Sequence, residues 1–216
     1  MPEINLTFLI EIIGTVAFAS SGAMVGIRKN LDVFGVLVLG VITAVGGGII
    51  RDMILNLAPP TTFRYPVYMI TAMITVLILF FGIRKKVIVL ETYQMESYDR
   101  IMNVLDAIGL GAFTVLGINS AINAGYEEYG FLLVFLGLMT GVGGGILRDM
   151  MATETPYVLK KHIYACASIV GAVVCLLLKR LMPFDTAMII GGVAVVVIRM
   201  LATKYHWNLP RPFENP

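Results

Sequence analysis

Charged side chains make up only 14 % of this 216-residue chain, so those set within apolar runs are the first candidates for chemistry. Glu11 and Asp106 each lie several residues into such a run, while Arg51-Asp52 and Arg148-Asp149 each come near the end of one. A carboxylate at the centre of a membrane helix costs roughly 2.5–3.5 kcal/mol. Two fates are open to Glu11 and Asp106: satisfaction by a Thr, a Ser or a backbone amide, or a place along a cation route. The Arg-Asp pairs carry no net charge. They either mark an interface and snorkel, or face an aqueous pathway, paired mutually or across the chain. Their placement, described below, favours the pathway. Ser20, Ser21, Thr43, Asn119, Ser120 and Thr140 lie on the same stretches and could together continue a polar lining, although each singly reads first as a helix–helix hydrogen bond.

Other chemistries lack their residues. There is no Ser-His-Asp set, no HExxH and no deep His cluster, so the chain reads as a non-enzyme. His162 and His206 are isolated and give no metal-ligand pattern, so neither metal nor cofactor is expected. Cys166 and Cys175 are nine positions apart, which sets them on opposite faces of one helix as small hydrophobes. The glycines of Gly46–Gly48 are followed by no Lys-Ser/Thr, which argues against a phosphate loop. A net charge of +2 without a basic stripe argues against nucleic acid.

The elements that must hold these residues follow from composition. The apolar set reaches 58 %, and 22 glycines come on top of it. Soluble domains hold roughly 45–50 % with glycine included, and a chain this short has too little interior for the excess. A polytopic membrane protein remains. Apolar runs of about 20 residues are needed to cross a bilayer as helix, and seven are read, at about 5–27, 34–56, 66–83, 100–122, 129–151, 162–180 and 184–203. Ala17-Phe18-Ala19 imitates a signal-cleavage site, but no Lys or Arg precedes the first run, and Glu3 and Glu11 are acidic. Seven spans divide the 16 basic residues twelve to four, with Arg28, Lys29, Arg84 and Arg148 on the richer side and Arg51 and Arg64 on the poorer. That bias predicts a cytoplasmic C-terminus and an outside N-terminus.

The chain also repeats itself. Leu39-Gly40-Val-Ile-Thr43-Ala-Val-Gly46-Gly47-Gly48-Ile-Ile-Arg51-Asp52-Met53 returns 97 residues later as Leu136-Gly137-Leu-Met-Thr140-Gly-Val-Gly143-Gly144-Gly145-Ile-Leu-Arg148-Asp149-Met150. Upstream, Glu11, Gly14, Ala17 and Phe18 match Asp106, Gly109, Ala112 and Phe113 at an offset of 95. Spans 1–3 and 4–6 are thus duplicated and the seventh is extra. Three is odd, so the second unit enters the membrane with opposite sense, an arrangement that puts transport pathways at the repeat interface. One Arg-Asp pair then stands towards each mouth. The triplets predict breaks in spans 2 and 5, since consecutive glycines weaken a helix by roughly 2–3 kcal/mol in all. Close helix packing through small residues is the competing reading, and the Arg-Asp that follows each triplet weighs against it.

The doubled G-x-x-T-[AG]-V-G-G-G-I-[IL]-R-D-M segment, in a seven-span chain of this length, resembles the bacterial branch of the trimeric intracellular cation (TRIC) channels, from about Glu11 to Arg199. The resemblance implies a homotrimer with a pore in each protomer and conduction of monovalent cations, K+ over Na+ with modest selectivity. It also implies gating at helices 2 and 5 kinked at Gly46–Gly48 and Gly143–Gly145. Helix 4 lacks the basic lipid-binding motif of animal members. The expected fold is all-α: a first repeat over 5–83, an inverted repeat over 100–180, a seventh helix over 184–203 and a cytoplasmic tail over 204–216, in the bacterial inner membrane. Expected pore residues are Gly46, Gly47, Gly48, Gly143, Gly144, Gly145, Thr43 and Thr140, with Arg51, Asp52, Arg148, Asp149, Glu11 and Asp106 as pore charges. The partners expected are K+, Na+ and the lipid bilayer, with no nucleic acid. The alternative is a secondary transporter of glycine or another small zwitterion, because inverted repeats and broken helices also mark transporters.

Overall fold

A computed structural model describes residues 5–87, 95–160, 163–205 and 207, which form helices and no strands among those residues. The helices are α1 (Leu6–Arg28), α2 (Val33–Ile54), α3 (Thr61–Arg64), α4 (Val67–Val87), α5 (Met95–Asn123), α6 (Gly130–Met151), α7 (Tyr157–Lys160), α8 (Ile163–Leu178) and α9 (Phe184–Lys204). Within α1, α2, α5, α6 and α9 lie five segments long and apolar enough to cross a bilayer, and Val67–Ile83 and Ile163–Leu178 are shorter apolar helices. The expected spans fall on these seven. The largest departure is α5, which begins at Met95 rather than at residue 100. The four-residue helices α3 and α7 lie between the expected spans, just after Pro60 and Pro156. His162, His206, Lys161 and most of the 204–216 tail lie outside the described residues.

Duplication is visible in how the helices end. Asn30 and Gly125 occupy equivalent positions after α1 and α5, and Asn56 and Thr153 after α2 and α6; all four have positive φ, between 54° and 89°. Each is followed by an amide that reaches back into its helix: Leu31 to Gly26, Leu57 to Asp52, Tyr126 to Ala121 and Glu154 to Asp149, at 2.8–3.1 Å. These closures satisfy carbonyls that a helix end would otherwise leave bare. Thr153 adopts a conformation that costs a β-branched residue roughly 1–2 kcal/mol, so the turn after α6 is held by its surroundings.

The α1, α2, α5 and α6 helices form the centre. Asn119 near the end of α5 meets Thr7 at the start of α1, while Ser21 late in α1 meets Asp106 early in α5. The equivalent helices α1 and α5 therefore run antiparallel. Their crossing is reciprocal: Phe18 packs on Gly109 and Phe113 on Gly14, and the two rings stack with centroids 5.2 Å apart. Helix α4 covers α1 and α2, α8 covers α6 and α5, and α9 lies on α5 and α8. Gly111 faces Gly192, and Gly171 faces Gly191, at the α9 seams, where small residues let backbones approach. Ile78, Phe131, Leu177 and Leu181 are among many large apolar side chains left exposed, as a lipid-facing surface requires. Cys166 and Cys175 are free.

Candidate functional site

The two Arg-Asp motifs build the same local device. Arg148 Nε donates to Asp149 Oδ1 at 2.8 Å, and Asp149 Oδ2 accepts from the amide of Tyr157 at the start of α7 at 2.8 Å. In the first half, Arg51 Nε donates to Asp52 Oδ1 at 2.8 Å, and Asp52 Oδ2 accepts from the amide of Thr61 at the start of α3 at 2.6 Å. Each aspartate thus fixes a guanidinium with one oxygen and the returning loop with the other. These four residues are at most 3 % exposed. The Arg-Asp pairs are buried and paired rather than snorkelling, and pairing is with the neighbour in sequence.

Beyond that common device the halves diverge. Arg148 Nη1 also donates to Asp106 Oδ1 at 2.6 Å and to Ser21 Oγ at 2.5 Å, which joins α6, α5 and α1 in one buried cluster. Tyr157 lies over the Arg148 guanidinium at 5.7 Å, and burial pushes its phenol above its usual range, with Arg148 opposing. It is held neutral. Outside this cluster Glu154 bridges Arg28 at 3.1 Å and Lys29 at 2.9 Å, and the Tyr98 hydroxyl donates to the Met24 carbonyl. The second half is sealed by these contacts.

The first half is open. Glu11, Arg51, Tyr68, Thr61, Asn119 and Ser120 are among the residues lining a cavity of about 370 Å³. Glu11 shares this cavity with Tyr68 and Arg51 and makes no ion pair among the described residues, whereas Asp106 pairs with Arg148. The reasons lie in equivalent positions. Leu116 stands where the other half has Ser21, so no hydroxyl draws α5 to Arg51. Asn123 and Leu57 stand where the other half has Arg28 and Glu154, so no ion pair closes the mouth. Of the two open fates for the carboxylates, Asp106 takes the structural one, met by the Ser21 hydroxyl at 3.5 Å and more closely by the Arg148 guanidinium. Glu11 borders the cavity.

Between the two centres α2 and α6 cross at their triplets. A methyl group on Gly47 would overlap the Thr140 carbonyl oxygen, and one on Gly144 would overlap the Thr43 carbonyl oxygen. The reciprocity is that of a two-fold contact. Helical structure continues through Gly46–Gly48 and Gly143–Gly145 without interruption, so the expected breaks in these helices are absent. The glycines serve contact here: backbone fits against backbone, and the packing gained offsets their poor helix propensity. The Thr43 and Thr140 hydroxyls each donate to the carbonyl four residues back, at 2.6 Å. Both residues are fully buried, so they face helix seams and not the cavity. Residues missed in the sequence are Tyr68, Tyr157, Arg28 and Glu154. Tyr68 and Tyr164 fall at equivalent places in the two halves, a match the 97-residue offset hides because it shifts by one after the loop.

An antiparallel duplicated bundle with an apolar exterior, and two buried charge centres separated by a glycine crossing, defines a multi-pass membrane protein with its polar residues turned inward. A family model described as Glycine transporter matches the chain twice, over residues 8–84 and 103–180. The UPF0126 inner membrane protein YadS of Escherichia coli K12 is 40 % identical over 207 residues, 95 % of each chain. The TRIC channel orthologue from Rhodobacter sphaeroides superposes with a TM-score of 0.83 at 30 % identity, covering 93 % of this chain and 98 % of that one. A structure described for conductance through TRIC cation channels gives 0.81 at 36 % identity, over 97 % and 98 %. The chain belongs to the bacterial branch of the TRIC channel family, and its relatives include UPF0126 membrane proteins.

Proposed function

We propose that the chain is a cation channel conducting monovalent cations, K+ over Na+ with modest selectivity, through a pore within each protomer of a homotrimer. The observation that carries this reading is the alignment of three features along the bundle: the Glu11 cavity, the Gly47–Gly144 crossing and the sealed Asp106–Arg148 cluster. A cation enters beside Glu11, where Asn119, Ser120 and Thr61 supply neutral oxygens. It is stopped where α2 and α6 touch. Passage requires those helices to part, with the triplets as the yielding points, and the Arg28/Lys29–Glu154 contact to open. With no dense acidic ring, selectivity stays weak.

The same reading takes the chain as seven spans, an inverted repeat of 5–83 and 100–180 followed by 184–203 and the 204–216 tail. The basic-residue bias then puts the N-terminus outside and the C-terminus in the cytoplasm. The Glu11 cavity faces outward and the sealed half inward. Purified protein in planar bilayers should give unitary currents in KCl and smaller ones in NaCl. Silent bilayers together with saturable solute uptake would overturn it.

One feature favours a second reading, a transporter of glycine or a similar zwitterion. Arg51 and Glu11 share one cavity, offering a cation to a carboxylate and a carboxylate to an ammonium. Saturable glycine flux with fixed H+ or Na+ stoichiometry would establish it instead.

A further inference from the structure

The cavity of the first half has a lining that a route for a bare metal ion does not require. Beside Glu11 and its polar neighbours it carries three aromatic side chains, Phe8, Tyr65 and Tyr68. Phe8 and Glu11 are three positions apart on α1 and so share one face of that helix. Tyr65 ends α3, and Tyr68 lies in the first turn of α4. The Phe8 and Tyr68 rings have centroids 6.1 Å apart and are inclined by 46°, so they adjoin without stacking flat. Tyr68 is buried and Tyr65 exposed, which carries the aromatic lining from the depth of the cavity to its mouth. This set belongs to the first half: at equivalent positions the second has Asn103 for Phe8 and Lys161 for Tyr65.

Charge and volume narrow what such a lining suits. Two charged residues line the cavity, Glu11 and Arg51. Arg51 is matched: its Nε and Nη2 both reach Asp52 Oδ1, at 2.8 and 2.7 Å. Glu11 makes no ion pair among the described residues. Counting Glu11 and Asp52 against Arg51 leaves one negative charge, on Glu11. The volume, about 370 Å³, falls at the lower end of the roughly 300–1,000 Å³ of small-molecule pockets. That is far more than one ion fills. A metal ion keeps its water or takes oxygen ligands in its place, and ring faces offer it none. An ammonium bearing methyl groups gains twice, its charge from the carboxylate and its methyl surface from the ring faces, as in aromatic cages. A zwitterion is served less well, because its carboxylate would compete with Asp52 for Arg51.

We propose that the Glu11 cavity is a binding site for a small methylated organic ammonium, with Glu11 opposing its charge and Phe8, Tyr65 and Tyr68 covering its methyl groups. On the channel reading such an occupant stands in the path of the smaller cations and blocks them. The binding itself does not rest on that reading.

Two experiments on the purified full-length protein test this. In the first, tetramethylammonium replaces Na+ at constant ionic strength and mildly alkaline pH, and thermal stability is followed. The wild type should gain a saturable rise of several degrees, which glycine and tert-butanol, a neutral molecule of similar shape, do not give. Glu11→Gln should weaken binding at least tenfold. Phe8→Leu should weaken it about three- to thirtyfold, whereas Phe8→Tyr, which keeps a ring face, should stay near the wild type. In the second, wild-type crystals soaked with tetramethylarsonium should show an arsenic anomalous peak between Glu11, Phe8 and Tyr68, which needs no variant to fold. No saturable response, an equal response to glycine or tert-butanol, or wild-type binding by Glu11→Gln or Phe8→Leu would overturn the proposal. A peak without a saturable stability change would mean binding at crystal concentration only, and would overturn it as well. Neither readout needs a K+ current: currents without ammonium binding would sink this site alone, and ammonium binding without currents the channel reading alone.

Discussion

Replacing one triplet glycine at a time separates contact from flexibility. At Gly47 an added methyl meets the Thr140 carbonyl oxygen in overlap, its carbon at 3.2 Å and the Gly144 nitrogen at 3.3 Å. All three are backbone atoms of a helix, so no side chain can swing aside. Carbon contacts settle near 3.5–4.0 Å, so α2 and α6 must separate by about 1 Å to admit the methyl. Overpacking of this kind costs roughly 1–3 kcal/mol, while Gly to Ala in a helix returns about 0.8–1.0 kcal/mol. Gly47→Ala should therefore be destabilised by up to about 2 kcal/mol net. Gly48→Ala meets only Arg51 Nη2 at 3.8 Å, an ordinary contact, and should gain up to about 1 kcal/mol. Gly144→Ala should match Gly47→Ala. The double variant should cost less than the sum, because one separation accommodates both methyls. The assay is the rate of thermal inactivation in detergent, a rate being the proper measure for irreversible unfolding, alongside single-channel open probability. On the proposed channel reading the pore opens as these helices part, so Gly47→Ala should also open more often. If substitutions at Gly46, Gly47 and Gly48 change stability and gating alike, the triplet acts as a flexible hinge and the contact argument fails.

Three further substitutions test the charge centres. Asp106→Asn leaves Arg148 buried with one carboxylate, and breaking a buried pair costs about 3–5 kcal/mol, so monodisperse protein should be lost; a normally stable variant would show that the cluster holds nothing together. Glu11→Gln should lower K+ conductance several-fold at unchanged thermal stability, since Glu11 borders the cavity; unchanged unitary current would remove it from the path. Glu154→Gln weakens contacts to both Arg28 and Lys29 on groups that are 26–35 % exposed. Such pairs contribute about 0.2–1 kcal/mol each, so loss of both should raise the open-to-closed ratio about two- to thirtyfold. An open probability insensitive to this change would place the seal of the second half elsewhere.

Much of the fold was legible in the residues because a bilayer simplifies the problem: apolar length gives the helices, and the 97-residue offset gives their pairing. The candidate charges were legible too, since each was rare in its surroundings. What they touch was not. The motif places Asp149 beside Arg148, but Asp149 also holds the loop before α7 through the Tyr157 amide, a partner eight positions away that no spacing rule supplies. Glycine was the misleading signal. Its low helix propensity predicted interruption, but propensity acts within one helix, and the α2–α6 contact that overrides it is tertiary. Tyr98 was hidden for a simpler reason: it lies in a polar stretch that reads as a connector, and only the start of α5 at Met95 carries its hydroxyl to Met24.

Duplication alone would make two equal centres, and equal centres would be open or closed together. The differences between the halves decide otherwise, and they are few. Asp106 for Glu11 draws the carboxylate closer to its helix, and Ser21 for Leu116 adds a donor to the cluster. Arg28 and Glu154, against Asn123 and Leu57, add an ion pair across the mouth. Each change favours closure on the same side. The Arg-Asp-loop device, by contrast, is kept on both sides with nearly the same distances, so it is scaffold rather than gate. It follows that exchanging members between halves should transfer the seal. Leu116→Ser with Glu11→Asp should draw α5 towards Arg51 and shrink the Glu11 cavity, read as slower labelling of a cysteine placed at Ser120. Labelling as fast as in the parent would mean that the asymmetry is imposed by α9, which packs on α5 and has no counterpart in the first half.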